Sequence, residues 1–310
     1  MKKQILLAIG LACCCCLPAQ TIIDLQRGGN VRAKTAEDYN RENADVTARI
    51  KADSTAYNDR LIRGLNALHS DSLTLAKKLF EEALELRPTA PANFVIKHNL
   101  GRIQMAWMHY NEAVGIFTKI LKEQTMNREV RLDRATCYFE LNNLQAGLAD
   151  CQVIIDGEQR DEIYIRTLFL RSATYRRARQ ARHAKADLEE ILRLRPENIS
   201  AQLLLPLCLE QMGQPQEALT RMNFFVTAHP ELPDGWAARA ELELRQQMPE
   251  AARADYDKAI ELSPQDAELR IARAKVLLQI GAKASARKDL DEAVRLGINK
   301  AELATLYTQL

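Results

Sequence analysis

A period of 34 residues runs through this chain from Tyr57 to Lys300. In register, its rows are 57–90, 94–127, 128–161, 165–198, 199–232, 233–266 and 267–300, with three residues inserted at 91–93 and again at 162–164. One column of the rows is small throughout: Ala76, Ala113, Gly147, Ala184, Ala218, Ala252 and Ala286. A second lies twelve positions earlier: Gly64, Gly101, Ala135, Ser172, Pro206, Ala240 and Ala274. A period of this length marks one supersecondary unit that buries its apolar face only by stacking on copies of itself. Each row holds two apolar-periodic segments of about 14 residues, the length of ordinary helices. A short polar turn such as Leu141-Asn142-Asn143 divides them, and Pro88, Pro196, Pro230 and Pro264 close their rows. Proline stops a helix because it lacks the N–H and clashes with the preceding turn. The pattern predicts an all-α array of helix pairs. The two small columns let the paired helices approach, and Phe80, Phe117, Leu188, Tyr256 and Leu290 interlock around the crossing.

Two rows carry a recognisable motif. Asn99-Leu100-Gly101, Tyr110-Asn111-Glu112-Ala113 and Phe117 stand in the second, and Trp236, Ala252, Tyr256, Ala259 and Pro264 in the sixth. In these residues the chain resembles the tetratricopeptide repeat (TPR) family, over about four fifths of its length. The resemblance implies a right-handed α-solenoid of about seven TPR helix pairs with a concave groove. Leu303, Leu306 and Leu310, at helical spacing, predict a capping helix over 301–310 that covers the last repeat.

The ends read differently from the array. Lys2 and Lys3 precede thirteen mostly apolar residues, Ile5 to Leu17, followed by Pro18-Ala19. This is the layout of a secretory signal peptide over 1–19, cut after Ala19. The alternative is lipoprotein processing at Cys13 or Cys14, behind Leu11-Ala12, which leaves a lipid anchor. A bilayer needs about 20 apolar residues in a helix, so neither this run nor any later stretch predicts a transmembrane span. Residues 20–56 read as a flexible tether, around Gly28-Gly29, and a leading helix from about 36 to 52. The chain has 43 Lys and Arg against 41 Asp and Glu; losing Lys2 and Lys3 with the leader makes it 41 against 41. A near-neutral balance and 5% aromatics argue against nucleic acid as a partner. Cys137, Cys151 and Cys208 remain after the leader and read as buried hydrophobes, with a Cys137–Cys151 bridge as the alternative.

Where the resemblance leads one to expect Leu, seventh in each row, stand Arg63, Arg134, Arg171, Arg239 and Arg273. Sixteen residues later stand Asp150, Asp187, Asp255 and Asp289. Rows with Leu100 and Leu205 lack this Asp and have Ile116 and Arg221, and only the first row breaks the pattern, with Arg63 and Leu79. The co-occurrence predicts structural ion pairs Arg134–Asp150, Arg171–Asp187, Arg239–Asp255 and Arg273–Asp289, since the guanidinium fork can bind a carboxylate twice. The alternative is an arginine ladder for anionic ligands. Pro206, inside the first segment of the fifth row, predicts a kinked helix at a cost of about 3 kcal/mol.

Catalytic motifs are missing: there is no HExxH, GxxxxGK or GxSxG, and the five histidines lack metal-ligand spacing. The sequence therefore predicts no enzyme and no cofactor. Positions two, five, nine and twelve of each row form one stripe of the first helix, which the resemblance places on the concave face. Its candidate partner-binding residues are Leu61, His98, Arg102, Phe139, Arg166, Phe169, Arg176, Leu203 and Glu241. The family's clamp for carboxylate-ended peptides is matched only at Asn99. Arg166, Arg176, Arg177, Arg179 and Arg182 crowd the fourth row, either as a solvated basic face or as a dock for an acidic partner or lipid headgroup. The expectation is a non-catalytic scaffold or adaptor of the bacterial envelope, in the periplasm, binding a protein or peptide. The alternatives are an outer-membrane lipoprotein that assists assembly of envelope complexes, and a glycan-binding array.

Overall fold

The computed structural model describes residues 56–310; the leader, the tether and the helix expected from about 36 to 52 lie outside the described residues. The described residues are helical throughout, with no strand among them. The helices are α1 Ala56–His69, α2 Leu73–Leu86, α3 Asn93–Ala106, α4 Tyr110–Glu123, α5 Arg128–Glu140, α6 Leu144–Ile155, α7 Glu162–Arg177, α8 Ala181–Leu194, α9 Ile199–Gln211, α10 Pro215–Ala228, α11 Pro233–Arg245, α12 Pro249–Leu262, α13 Ala267–Gln279, α14 Lys283–Arg295 and α15 Ala304–Tyr307. Odd-numbered helices through α13 are thus the first, or A, helices of the rows, and even-numbered ones through α14 the second, or B, helices. The chain divides into two units at Leu170–Arg171, within α7.

In the unit ending at Leu170, α1 packs on α2, α3 on α4 and α5 on α6, and α2 also packs on α3 and α4 on α5. The close approach rests on glycine. A Cβ on Gly64 would lie 2.6 Å from the Phe80 ring, and one on Gly101 2.8 Å from Cζ of Phe117. Both rings are fully buried, so nothing but hydrogen fits between helix and ring. The third hairpin reverses the arrangement. Its A helix carries the aromatic, Phe139, and its B helix the glycine, Gly147, whose Cβ would lie 2.6 Å from Cδ1 of that ring.

In the unit from Arg171 onward, α9 packs on α8 and α10, α11 on α10 and α12, and α13 on α12 and α14. Ala240, Tyr256, Leu269 and Val276 form one core, and Ile271, Leu290, Ala293 and Leu303 the next. The helix expected over 301–310 is shorter than predicted: a 3-10 turn, Lys300–Leu303, leads into the single turn of α15. Leu303 still buries, and Leu306, Tyr307 and Leu310 pack around it, so the apolar spacing is satisfied without a continuous helix. Pro206 is buried within α9, which runs on from Ile199 to Gln211.

The turns show why the helices stop where they do. α2, α8, α10 and α12 each end two residues before Pro88, Pro196, Pro230 or Pro264. The residue between is driven out of the helical region by the proline ring, and Arg87, Arg195, His229 and Ser263 have φ of −142°, −141°, −131° and −132°. A side chain six residues on then takes the carbonyl of three of these prolines: Gln202 donates to Pro196, Trp236 to Pro230 and Arg270 to Pro264. Asn127, Asn143, Asn198 and Asp266 cap α5, α6, α9 and α13 by accepting from backbone N–H groups of the first turn. Between the A and B helices the backbone takes positive φ at the fifteenth position of every row: Asp71, Met108, Asn142, Arg179, Gly213, Gln247 and Gly281. Two of the seven are glycine and Asp71 and Asn142 tolerate the left-handed region, but at Met108, Arg179 and Gln247 packing of the hairpin imposes a conformation the residue disfavours.

Candidate interaction surface

The sixteen-residue spacing of Arg and Asp joins an A helix to its own B helix. Arg134 donates to Asp150 from Nε at 2.7 Å and Nη2 at 2.8 Å. The same two-bond fork holds Arg171 to Asp187 (2.9 and 2.6 Å), Arg239 to Asp255 (2.6 and 2.7 Å) and Arg273 to Asp289 (2.8 and 2.6 Å). All four carboxylates are buried, and the arginine side chains are only 16–21% exposed. Hydrogen bonds to Asp150, Asp255 and Asp289 hold the guanidinium groups of Arg134, Arg239 and Arg273 above their ordinary pKa. Burial pushes the Asp187 carboxyl up, against the pull of Arg171. From Arg134, Arg239 and Arg273 the remaining nitrogen reaches back to the preceding B helix: Nη1 donates to Thr118, Asn223 and Asp257 respectively. These arginines are therefore spent on the array. The first row uses Arg60, which donates to Glu82 at 2.7 Å.

The A-helix stripe is largely engaged with itself, from one repeat to the next. His98 Nε2 lies 2.8 Å from Asp133 Oδ2, and Arg102 Nε 3.4 Å from the same oxygen. The His98 ring sits between Phe94 and Phe117. Burial alone would raise the Asp133 carboxyl; the His98 hydrogen bond and the charges of Arg102 and Arg166 outweigh it and hold the pKa below the usual carboxylate range. Arg166 Nη1 lies 3.5 Å from Glu129. In the other unit Arg245 donates to Glu210 at 2.6 Å and stands 3.9 Å from Glu241. Burial raises the Glu241 carboxyl and lowers the Arg176 guanidinium.

The structure thus brings together His98 and Arg102, with Asp133 between them. Leu61, Phe169 and Leu203 are half-buried apolar positions. Phe139 is 4% exposed, folded against Gly147, and presents no surface to a partner. Glu129, Glu210 and Arg245 join the stripe through their ion pairs, and Asp133 lies buried beneath it. Opposite charges 35 residues apart, one repeat plus one, are the sequence signal for His98–Asp133 and Glu210–Arg245. Cys137, Cys151 and Cys208 are buried and none is in a disulfide. Cys137 lies in the cluster around Phe117 and Cys151 in the cluster around Phe139, so they face different cores and no bridge joins them. Burial pushes the Cys137 thiol to about 12 and Cys208 to about 11, which suppresses the reactive thiolate. Among the described residues, no group of three His, Cys, Asp or Glu could hold a metal, and no helix is long and apolar enough to cross a membrane.

Helical hairpins of fixed length, glycine-spaced crossings and a charged A-helix stripe define a helix-pair repeat array. Residues 233–276 match the tetratricopeptide repeat family, and the same kind of helical hairpin recurs in every row. A tetratricopeptide repeat protein from Parabacteroides merdae superposes with a TM-score of 0.69 at 23% identity, covering 83% of this chain and 99% of that one. The anaphase-promoting-complex hetero-tetramer Cut9–Hcn1 gives 0.56 at 13% identity, over 88% of this chain and 54% of that one. These likenesses show the fold, an all-α solenoid of TPR helix pairs. A curated relative, the mitochondrial import receptor subunit TOM70 of Homo sapiens, is 29% identical over 138 residues. The match takes in 43% of this chain and 22% of the receptor, so the chain spans about a fifth of that protein's length.

Proposed function

We propose that the chain is a non-catalytic scaffold or adaptor of the bacterial envelope that holds a protein or peptide partner against its A helices. The observation that carries this is the division of labour among charged residues. Arg134, Arg171, Arg239 and Arg273 of the seventh column are consumed in fixed ion pairs, while the A-helix stripe varies from row to row and mixes half-buried apolar positions with charged ones. Such a surface suits an extended peptide or a partner helix, which needs apolar anchors and polar registration together. Similarity to an import receptor subunit supports a role in protein interaction. The experiment is site-directed photo-crosslinking in intact cells, with the crosslinker placed in turn at Leu61 and Leu203 on A helices and at Val153 and Phe224 on B helices. Partner adducts confined to the A-helix positions are expected; adducts of equal yield from B helices would refute the reading.

The leader read from the sequence supports an exported, periplasmic protein, cut after Ala19. Cell fractionation tests the compartment, and N-terminal sequencing of the mature chain tests the cut. Metabolic labelling with a fatty acid tests the lipid-anchored alternative, in which the array assists assembly of outer-membrane complexes.

A further inference from the structure

Fixed columns join a B helix to the A helix of the next row. Positions 27 and 28 of the B helix pack on positions three and ten of that A helix: Ile120 and Leu121 share a core with Val130 and Cys137, and Ala259 and Ile260 share one with Leu269 and Val276. A polar tie runs beside them. Position 25 of the B helix accepts from the seventh-column arginine sixteen residues on, as Thr118 does from Arg134 and Asp257 from Arg273.

α1 carries the receiving half of these columns. Its positions three and ten are Asp59 and Asn66, polar where Val130 and Cys137 stand two rows later. Asp59 Oδ2 is shut off from solvent without a donor among the described residues. A carboxylate oxygen in that state is an unmet demand. Arg63 has Leu79, not Asp, sixteen residues on, and makes no hydrogen bond among the described residues.

Stepping the row pattern back by one period puts the giving half of the same columns on the chain just before Ala56. Thr47 stands sixteen residues before Arg63, the spacing and residue type of Thr118 before Arg134. Arg49 and Ile50 fall at positions 27 and 28, opposite Asp59 and Asn66, and Val46 falls in the column of Phe80 and Phe117. Ala52 falls where α4, α8, α10 and α12 end, at Glu123, Leu194, Ala228 and Leu262. The small column is the exception, with Glu42 in the place of Ala76 and Ala113. That column packs a B helix on its own A helix, as Gly147 packs on Phe139. One period back, the stretch that would be this A helix holds Gly28-Gly29. A B helix with no A helix beneath it turns that column to water, where Glu is at home.

We propose that residues 39–52 form a half repeat, a B helix without its A helix, that docks on α1. Arg49 meets the carboxylate of Asp59, the Thr47 hydroxyl accepts from Arg63, and Ile50 supplies the apolar contact. The charge pair and the donor–acceptor pair fix the register together. The first edge of the array is thereby closed to a second copy of the chain, and the surface open to a partner begins at α1.

The test is amide hydrogen exchange of the full chain, read by mass spectrometry. Peptides within 39–52 should exchange at least about tenfold more slowly than in the unfolded chain. Arg49→Glu should remove most of that protection, because it sets two carboxylates together, and Asp59→Arg should do the same from the other side. The swap Arg49→Glu/Asp59→Arg should recover it. Glu42→Gln, in the column with nothing to pack on, should leave it unaltered. Exchange in α11 to α14 should keep its parental rate in every variant, which shows that the array stays folded. Exchange of 39–52 at the unfolded rate would overturn the half repeat. Protection that survives Arg49→Glu, or a swap without recovery, would overturn it too. So would protection that fades on dilution as a dimer dissociates in sedimentation, since a second copy would then be what covers α1.

Discussion

Replacing Asp255 by alanine removes the acceptor of two short hydrogen bonds from Arg239, at 2.6 and 2.7 Å. Hydrogen bonds to charged groups contribute about 1.5–3 kcal/mol each, so the gross loss is about 3–6 kcal/mol. Two facts reduce it. The Arg239 side chain is 19% exposed, so water reaches part of the fork, and Glu243, 4.0 Å from Arg239 Nε, can move in as a substitute. The expected net cost is about 2–3 kcal/mol, below the roughly 3–5 of a fully buried pair broken on one side. The double variant Arg239→Leu/Asp255→Ile copies the second row, which holds Leu100 and Ile116 at these positions. It should cost less than the single variant, because no unpaired guanidinium is left behind; the remainder of the cost is the loss of Arg239 from Glu243 and Asn223. Urea unfolding followed by circular dichroism gives the totals. Because arrays can unfold in parts, amide hydrogen exchange in α11 and α12 is the sharper assay, and protection there should fall by a factor of at least about 30 in Asp255→Ala. Parental exchange in that variant, or a double variant worse than the single, would refute the idea of an isolated, interchangeable pair.

Three further outcomes follow from the packing and the titration. Gly101→Ala should lose about 1–2 kcal/mol, overpacking against the Phe117 ring exceeding the helix-propensity gain; Phe117→Leu in the same chain should recover part of it in thermal melts. Gly213→Ala should cost about 1–2 kcal/mol from backbone strain alone, since φ is +76° and no atom lies within 4 Å of the new Cβ; Gly213→Asn should cost less. Glu243 is buried, and burial together with Asp255 raises its pKa from 4.5 to about 7. A raised carboxyl favours the folded state below about pH 4.5 and loses that contribution as pH climbs through 7. Glu243→Gln should therefore gain on the parent by up to about 3 kcal/mol between pH 4.5 and 8 in paired urea titrations, and a constant difference across that range would refute the shift.

The parts legible in the sequence are those that close within one repeat. Arg134 and Asp150, or Arg273 and Asp289, are sixteen residues apart on adjoining helices, and their co-occurrence row by row reports a contact whose geometry is the same in each copy. Contacts between repeats leave a fainter trace. Asp133 carries no signal within its own row, because its partners, His98 and Arg102, belong to the previous row and only an offset of about one repeat links them. Phe139 stands on the stripe by position, but in its row the glycine lies on the B helix as Gly147, and the ring follows the space. The left-handed turns were invisible because Met108, Arg179 and Gln247 do not favour that conformation. Pairing of the two helices sets it, and pairing is a tertiary property.

The third nitrogen of the column arginines has a mechanical consequence. Where Arg239 reaches Asn223 and Arg273 reaches Asp257, one side chain rivets three successive helices, so neither hairpin can tilt on the next without breaking a polar bond. The fifth row has Leu205 in that place and no such rivet to the helix before it. The joint between α8 and α9 therefore lacks the arginine of this column that ties α11 to α10 and α13 to α12. Stiffness is therefore graded along this part of the chain: firm from the fifth row to the end, and compliant just ahead of it. A partner lying along α9, α11 and α13 would rest on the rigid stretch, while bending gathers at the joint beside Leu205.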